Sequence, residues 1–362
     1  AFGNLRALSP VSARPASSRL RVLSFAAAAS LCVLLASAVG SATKAATAAP
    51  PVGFRQMEFT AAGGRRLALA VFYPAAPSAV ARAPFKMPFW INVRVFKDAE
   101  PALGAAKHPL VVFSHGRGSN PLIYAWFAQL LAEHGYVVAA PYHYRANTYD
   151  ATIAYLANKL WQRPVDLGLD IDFLLRDPFW GARIDASRIG VAGHSQGGFT
   201  ALWIGGATVS AEKYAAFQRG WRNNESVPAY LRQQLPLDPA PALAVHDKRI
   251  KAVFAMAPGV IEPFGMDPPG LRKLTVPTYI IVGARDSQTP PGANAEYAAK
   301  YVPHARLQIL PGLVDHEIFT NECNQDGKDE FPEACIDAPG VDRAKDHAAI
   351  GAAALRFFAA TL

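Results

Sequence analysis

Arg188-Ile-Gly-Val-Ala-Gly-His-Ser-Gln-Gly-Gly-Phe-Thr-Ala-Leu202 reads as a short apolar strand, a sharp turn and the start of a helix, with Ser195 at the turn. Inside it, Gly193-His194-Ser195-Gln196-Gly197 fits Gly-x-Ser-x-Gly, the pattern of a nucleophile elbow. The serine of such a turn sits in a strained conformation that points its oxygen out of the chain. Side chains at positions 193 and 197 would crowd it. The motif requires a strand before it and a helix after it, and both are present here.

Working outward, the chain has 362 residues, 51% hydrophobic and 18% charged, which suits one large globular domain with a substantial core. The N-terminus reads differently. Residues 1–24 carry Arg6, Arg14, Arg19 and Arg21 and no acid, Phe25 to Gly40 is Ala-rich and apolar, and small residues follow at Gly40-Ser41-Ala42. That order is the order of a secretory signal peptide over residues 1–42, with a membrane anchor as the alternative if the segment stays uncleaved. Residues 43–52 are expected to be a disordered lead-in and 53–362 the folded domain. Without residues 1–42 the net charge drops from +8 to +4, because four arginines leave with no acid. A mildly basic chain with no charge block and no basic–aromatic interleaving argues against a nucleic-acid partner. Nothing in the pattern addresses oligomeric state.

Cys32 falls in the leader, which leaves Cys323 and Cys335 twelve apart in a polar loop. In an exported protein, two such cysteines are expected to form one disulfide. A metal site would need more thiolates or histidines at ligand spacing, and none is expected.

Strands are expected at 53–60 and 65–73, around an Ala61-Ala-Gly-Gly64 turn, then at 110–113, 136–140, 250–255, 278–282 and 306–310. Helices are expected at 122–134, 164–176, 292–300 and 344–362. In the second of these, Val165, Leu169, Phe173 and Leu174 should share the buried face. Repeated strand–helix alternation implies a mainly parallel sheet flanked by helices on both faces. Residues 209–248, with Tyr214, Phe217, Trp221 and Tyr230, read as a small helical cap over the sheet's C-terminal edge. The stretch 74–107 reads as irregular, and its Phe85, Phe89, Trp90 and Phe96 either line a pocket or cover core.

A serine hydroxyl needs a base and the base an orienting acid, each just beyond a later strand. Asp286 follows the strand ending near Val282, and His316 follows the strand ending at Leu310. The order Ser195, Asp286, His316 thus meets three separate positional demands. Asp315 adjoins His316 and is poorly placed to pair with its ring. His347 is expected to pack or cap at the final helix, and His246 and His304 to be solvated. His115 and His194 are expected to be structural. Oxyanion donors are expected from the backbone amides of Gln196, at the start of the elbow helix, and Arg117, in the Ser114-His-Gly-Arg-Gly118 loop.

These residues resemble the α/β-hydrolase superfamily, and within it the exported serine-dependent predicted dienelactone hydrolases, related to platelet-activating-factor acetylhydrolases and cutinase-like polyesterases. The resemblance rests on Pro109–Gly116, Arg188–Gly198, Ile250–Pro258, Gly283–Pro290 and His316–Phe319, and spans about residue 53 to the C-terminus. It implies Ser195 as nucleophile, His316 as base, Asp286 as acid, and an oxyanion hole from Arg117 and Gln196. Three residues depart from the pattern. Serine stands where true dienelactone hydrolases have cysteine, Arg117 where an apolar residue is usual, and Gln196 where polyesterases often carry methionine. The expected function is a secreted or periplasmic serine hydrolase of small-molecule carboxylic esters that uses no cofactor. Amide or peptide hydrolysis by the same triad is the alternative within enzymes, and a non-catalytic binding protein on this scaffold is the alternative outside them.

Overall fold

The computed structural model describes residues 49–154, 156, 159–225, 229, 232 and 245–362. The expected leader, Cys32 and the first part of the lead-in lie outside the described residues. So does most of 226–244, including Tyr230.

The two N-terminal runs of alternating residues form β1 (Val52–Thr60) and β2 (Arg66–Pro74), paired antiparallel from Val52 opposite Pro74 to Thr60 opposite Arg66. Their turn uses Gly63 and Gly64 at φ 84° and 80°, a region open to glycine and closed to most side chains. β3 (Val95–Lys97), which sequence reasoning left inside an irregular stretch, adds to the outer edge of β1. Then follow β4 (His108–Ser114), β5 (Val137–Tyr142), β6 (Ile184–His194), β7 (Ile250–Met256), β8 (Thr278–Gly283) and β9 (Ala305–Leu310). The sheet order is β3-β1-β2-β5-β4-β6-β7-β8-β9, and β2 alone runs against its neighbours. Strands such as β4 and β7 read as continuous apolar runs because helices cover both faces of the sheet.

The helices are α1 (Ala125–Glu133), α2 (Gln162–Arg176), α3 (Pro178–Arg183), α4 (Gln196–Gly205), α5 (Ala211–Arg222), α6 (Pro268–Leu271), α7 (Ala295–Tyr301), α8 (Gln325–Glu330), α9 (Pro332–Cys335) and α10 (Arg343–Thr361). α5 is the described part of the expected insertion, and its Phe217 packs edge-on against Phe264 at 4.6 Å. From β4 the chain moves through α1 to β5 on one side. From β5 it returns through α2 to β6 on the other side of β4. Right-handed crossovers therefore put α1 and α2 on opposite faces and open a crevice between the C-terminal ends of β4 and β6. That crevice is where the loop after Ser114 and the turn at Ser195 meet.

One expectation needs correction. The loop closed by Cys323 and Cys335 is bonded as expected, with Cα atoms 5.5 Å apart, and α8 and α9 lie inside it. The buried face of α2 is not the one expected. Arg163, Asp166, Leu167, Asp170, Ile171 and Leu174 are buried, while Val165, Leu169 and Phe173 are half-buried. Phe173 stacks on Phe59 of β1 at 4.4 Å, while Leu167, Ile171 and Leu174 enter the core on a face they share with Arg163, Asp166 and Asp170.

α10 closes the fold against α1, where a Cβ on Gly351 would overlap Leu130. His347 stacks on Trp126 at 3.8 Å and donates from Nε2 to the Ile318 carbonyl at 2.8 Å, a packing role as expected. Burial pushes its pKa down to about 4. An unfolded histidine titrates near 6.5, so between about pH 6.5 and 4 the unfolded chain binds a proton that the folded chain refuses. Stability should therefore fall as pH drops through that window. We expect His347→Gln, which keeps a donor and cannot titrate, to flatten the pH dependence of the urea midpoint there by up to about one proton. An unchanged slope would mean that the folded ring is protonated.

Candidate active site

Ser195 has φ 57° and ψ −120°, a strained conformation for a residue with a side chain. Its backbone is held from several directions. Its N–H donates to the Met256 carbonyl at 2.9 Å, and its own carbonyl accepts from Gly259 and Phe199, each at 3.1 Å. The flanking glycines answer to close approach. A Cβ on Gly193 would overlap the Gly197 carbonyl, and one on Gly197 would overlap the Ser114 carbonyl. Ser195 is half-buried and opens into a cavity of about 960 Å³.

His316 opens a short helical turn after β9, and Asp286 lies just beyond β8. The His316 ring donates from Nδ1 to Asp286 Oδ2 at 2.8 Å, with both side chains almost wholly buried. A carboxylate can only accept, so the Nδ1 proton is fixed and Nε2 is left as the basic nitrogen. Asp286 Oδ1 accepts from the Gln288 and Thr289 amides at 3.1 and 2.7 Å, and Oδ2 also accepts from the Thr289 hydroxyl at 3.0 Å. Asp315 does not compete for the ring, because it caps the His316 amide at 2.7 Å and binds Ser287.

His316, Ser195, Gln196 and Arg117 line the same cavity. The Gln196 amide is the first of α4, so it has no intrahelical acceptor. The loop bearing Arg117 lies against the elbow, and a Cβ on Gly116 would stand 3.7 Å from the Ser195 Cβ. The expected set is thus brought together. His246 and His304 are exposed and stand outside this cavity. Among the described residues no cluster of three or more His, Cys, Asp or Glu side chains could hold a metal ion.

Two hydrogen-bonded chains escaped sequence reasoning. In the first, His194 Nε2 donates to the His316 carbonyl at 3.1 Å, so Nδ1 must accept, and it takes the Tyr124 hydroxyl proton at 3.0 Å. The Tyr124 oxygen in turn accepts the Gly116 amide at 3.2 Å. Burial and the neighbouring His316 push the His194 pKa well down, which agrees with a neutral ring in this tautomer. One chain therefore ties the Gly116 loop, the elbow and the backbone of His316 together. Its only trace in sequence is the histidine within the elbow motif.

The second chain has the connectivity of a triad. Ser114 Oγ meets His143 Nε2 at 2.8 Å, and His143 Nδ1 meets Asp166 Oδ2 at 3.1 Å. All three are buried and none lines the large cavity. Arg163 donates to Ser114 Oγ at 3.2 Å and to the His115 carbonyl, while Asp166 also accepts from Arg65 and from the Tyr144 amide. Burial pushes the Asp166 carboxyl up to about 6, and burial together with the Arg163 and Arg65 charges drives the His143 pKa well down. Buried and outside the cavity, this chain lies behind the Ser114–Gly118 loop, which it holds through Arg163 and the His115 carbonyl. Charged residues on a helix are read as solvated, which is why Arg163 and Asp166 were not singled out.

Tyr124→Phe should leave the Gly116 amide and His194 Nδ1 unpaired in a buried setting, at a cost of about 1–3 kcal/mol in chemical denaturation. Stability equal to wild type would mean that the relay does not form.

A family model described as platelet-activating factor acetylhydrolase, isoform II, matches residues 91–166, a stretch that includes the Ser114–Gly118 loop and ends before the elbow. No curated protein matches the chain. Among solved structures 1068 chains match. One is a ferulic acid esterase from Streptomyces cinnamoneus, 23% identical, with a TM-score of 0.60 over 87% of this chain and 92% of that one. At that identity the likeness speaks for the fold. With β2 alone reversed in its sheet, an elbow turn directly after β6 and this likeness, the chain has the α/β-hydrolase fold.

Proposed function

We propose that the protein is an exported serine hydrolase that cleaves small-molecule carboxylic esters through Ser195, His316 and Asp286. One observation carries the reading. A strained serine and a histidine whose Nδ1 is committed to a buried aspartate share one cavity. His316 Nε2 takes the proton as Ser195 Oγ attacks the ester carbonyl, and Asp286 stabilises the resulting imidazolium. The Gln196 and Arg117 amides receive the negative charge that develops on the carbonyl oxygen. His316 then protonates the departing alcohol, and a water activated by the same ring releases the acid and restores Ser195.

Support from likeness is coarser. The partial family match and the solved structure are both named for ester-cleaving proteins. The Cys323–Cys335 disulfide and the order of charge and apolarity over residues 1–42 support export.

A second reading has its own observation, the Ser114–His143–Asp166 chain, in which Ser114 would be the nucleophile. Labelling with a fluorophosphonate separates the two. Ser195→Ala should abolish both the label and turnover of a p-nitrophenyl ester, whereas Ser114→Ala should still be labelled at Ser195. Asp286→Asn should lower kcat by about 10⁴-fold, because the His316 ring loses its fixed tautomer. Retention of the label in Ser195→Ala would sink the assignment.

A further inference from the structure

The wall of the cavity facing the catalytic residues is built from two segments far apart in sequence. One is Phe85–Ile91, which forms no long element of its own. The other is the disulfide loop 323–335. Both line the cavity that holds Ser195, through Phe89 and Trp90 on one side and Phe331 on the other. Phe89 and Trp90 are half-buried, and Phe331 is 37% exposed although its ring is large and apolar.

The rings are set edge to face. Phe89 meets Phe331 at 5.2 Å and 87°, and Trp90 at 6.4 Å and 78°. A cluster with rings set at steep angles to one another thus borders the open space of the cavity. A flat aromatic guest can meet these rings in offset or edge-on contact, whereas a puckered ring of equal size can only fill volume.

The two segments are tied together by backbone as well as by rings. Trp90 forms a β-bridge with Cys323, and the Ile91 amide donates to the Glu322 carbonyl at 2.9 Å. Asn324 donates its amide to the Phe89 carbonyl at 3.0 Å and its side chain to the Pro88 carbonyl at 2.7 Å. The Cys323–Cys335 bond fixes the far end of the loop that carries Phe331.

We propose that Phe89, Trp90 and Phe331 form a disulfide-tethered specificity wall that takes a flat aromatic group of the ester, on its acyl or its alcohol side. The tether, chiefly Asn324 and the cystine, positions the rings and does not touch the reacting atoms. The wall rests on the esterase reading above and refines it.

The test compares esters of equal intrinsic reactivity that differ only in ring flatness. The pairs are ethyl 3-phenylpropanoate with ethyl 3-cyclohexylpropanoate, and 2-phenylethyl acetate with 2-cyclohexylethyl acetate. The phenyl member should be favoured in kcat/KM by about fivefold in at least one pair, the size of aromatic contact energies beyond area burial. Phe331→Leu, and Cys323→Ser combined with Cys335→Ser, should each bring that ratio close to one. If the cysteine pair variant does not fold, Asn324→Ala tests the tether by the same ratio. A wild-type ratio near one, or a ratio unmoved by Phe331→Leu and by the tether variant, overturns the wall and leaves the esterase reading standing. A wild-type protein that turns over none of the four esters overturns both.

Discussion

The carbonyl oxygens of Ser114 and His115 occupy the space a side chain at position 197 would need. This backbone contact between the end of β4 and the first turn of α4 sets the distance from the oxyanion loop to Ser195. On the proposed reading it would govern whether a carbonyl attacked by Ser195 could reach the Gln196 and Arg117 amides at once. Everything nearby serves to keep it. The Ser195 strain persists because three backbone hydrogen bonds over-determine its position. Strain extends next door, where Ala257 and Val260 take φ 40° and 55° beside the elbow. A β-branched residue there is an outlier, and Val260 lines the cavity.

Two polar networks hold the contact from opposite sides, and they work differently. Toward the cavity, the Tyr124–His194 chain uses neutral groups, each with its donors and acceptors assigned, so little charge is buried. Behind the loop, Arg163, Asp166 and Asp170 lie on the inner face of α2. Burying such groups is expensive unless they are paired or neutralised, and the pairing here is partial, since two Arg163 nitrogens and both Asp170 oxygens have no hydrogen-bond partner. Asp166 accepts from Arg65, Tyr144 and His143, while burial and the Asp166 charge push the Asp170 carboxyl well up into its neutral form. Burial also lowers the Arg163 guanidinium to about 9. The triad-like order of Ser114, His143 and Asp166 is part of this buried network. A nucleophile would also need the strain, the cavity and the donors found at Ser195.

The central sheet was legible because its signals are local. Apolar runs with turn residues at both ends gave β4 to β9 to within a few residues, and the order of Ser195, Asp286 and His316 depends on chain order alone. What escaped depends on tertiary context. β3 is too short for a periodic signal and exists because β1 offers it an edge. Of the four residues expected on the buried face of α2 only Leu174 is fully buried, because the face that enters the core also carries Arg163, Asp166 and Asp170, a pattern that an apolar stripe does not show. Thr289, Tyr124 and His143 serve the site through contacts spanning 27 to 70 residues, which no spacing rule reaches. The four aromatics of the 74–107 stretch were undecided between pocket and core, and they divide. Phe96 is buried, whereas Phe85, Phe89 and Trp90 line the cavity.

That division gives a role to the disulfide that follows His316. Large rings bordering open space are drawn to collapse onto one another, and a segment such as 85–91, with no long element of its own, has little to resist that. Bridging it to residues 322–324 gives its backbone partners it would otherwise take from water. Closing the 12-residue separation from Cys323 to Cys335 restrains the other half of the wall, with a loop-closure contribution of about 3 kcal/mol on the chain-entropy account. A cavity wall ordered before the guest arrives spends less of the contact energy on immobilising side chains. The cystine thus belongs with the shape of the pocket as much as with the stability of the tail, and both follow from two cysteines placed on either side of Phe331.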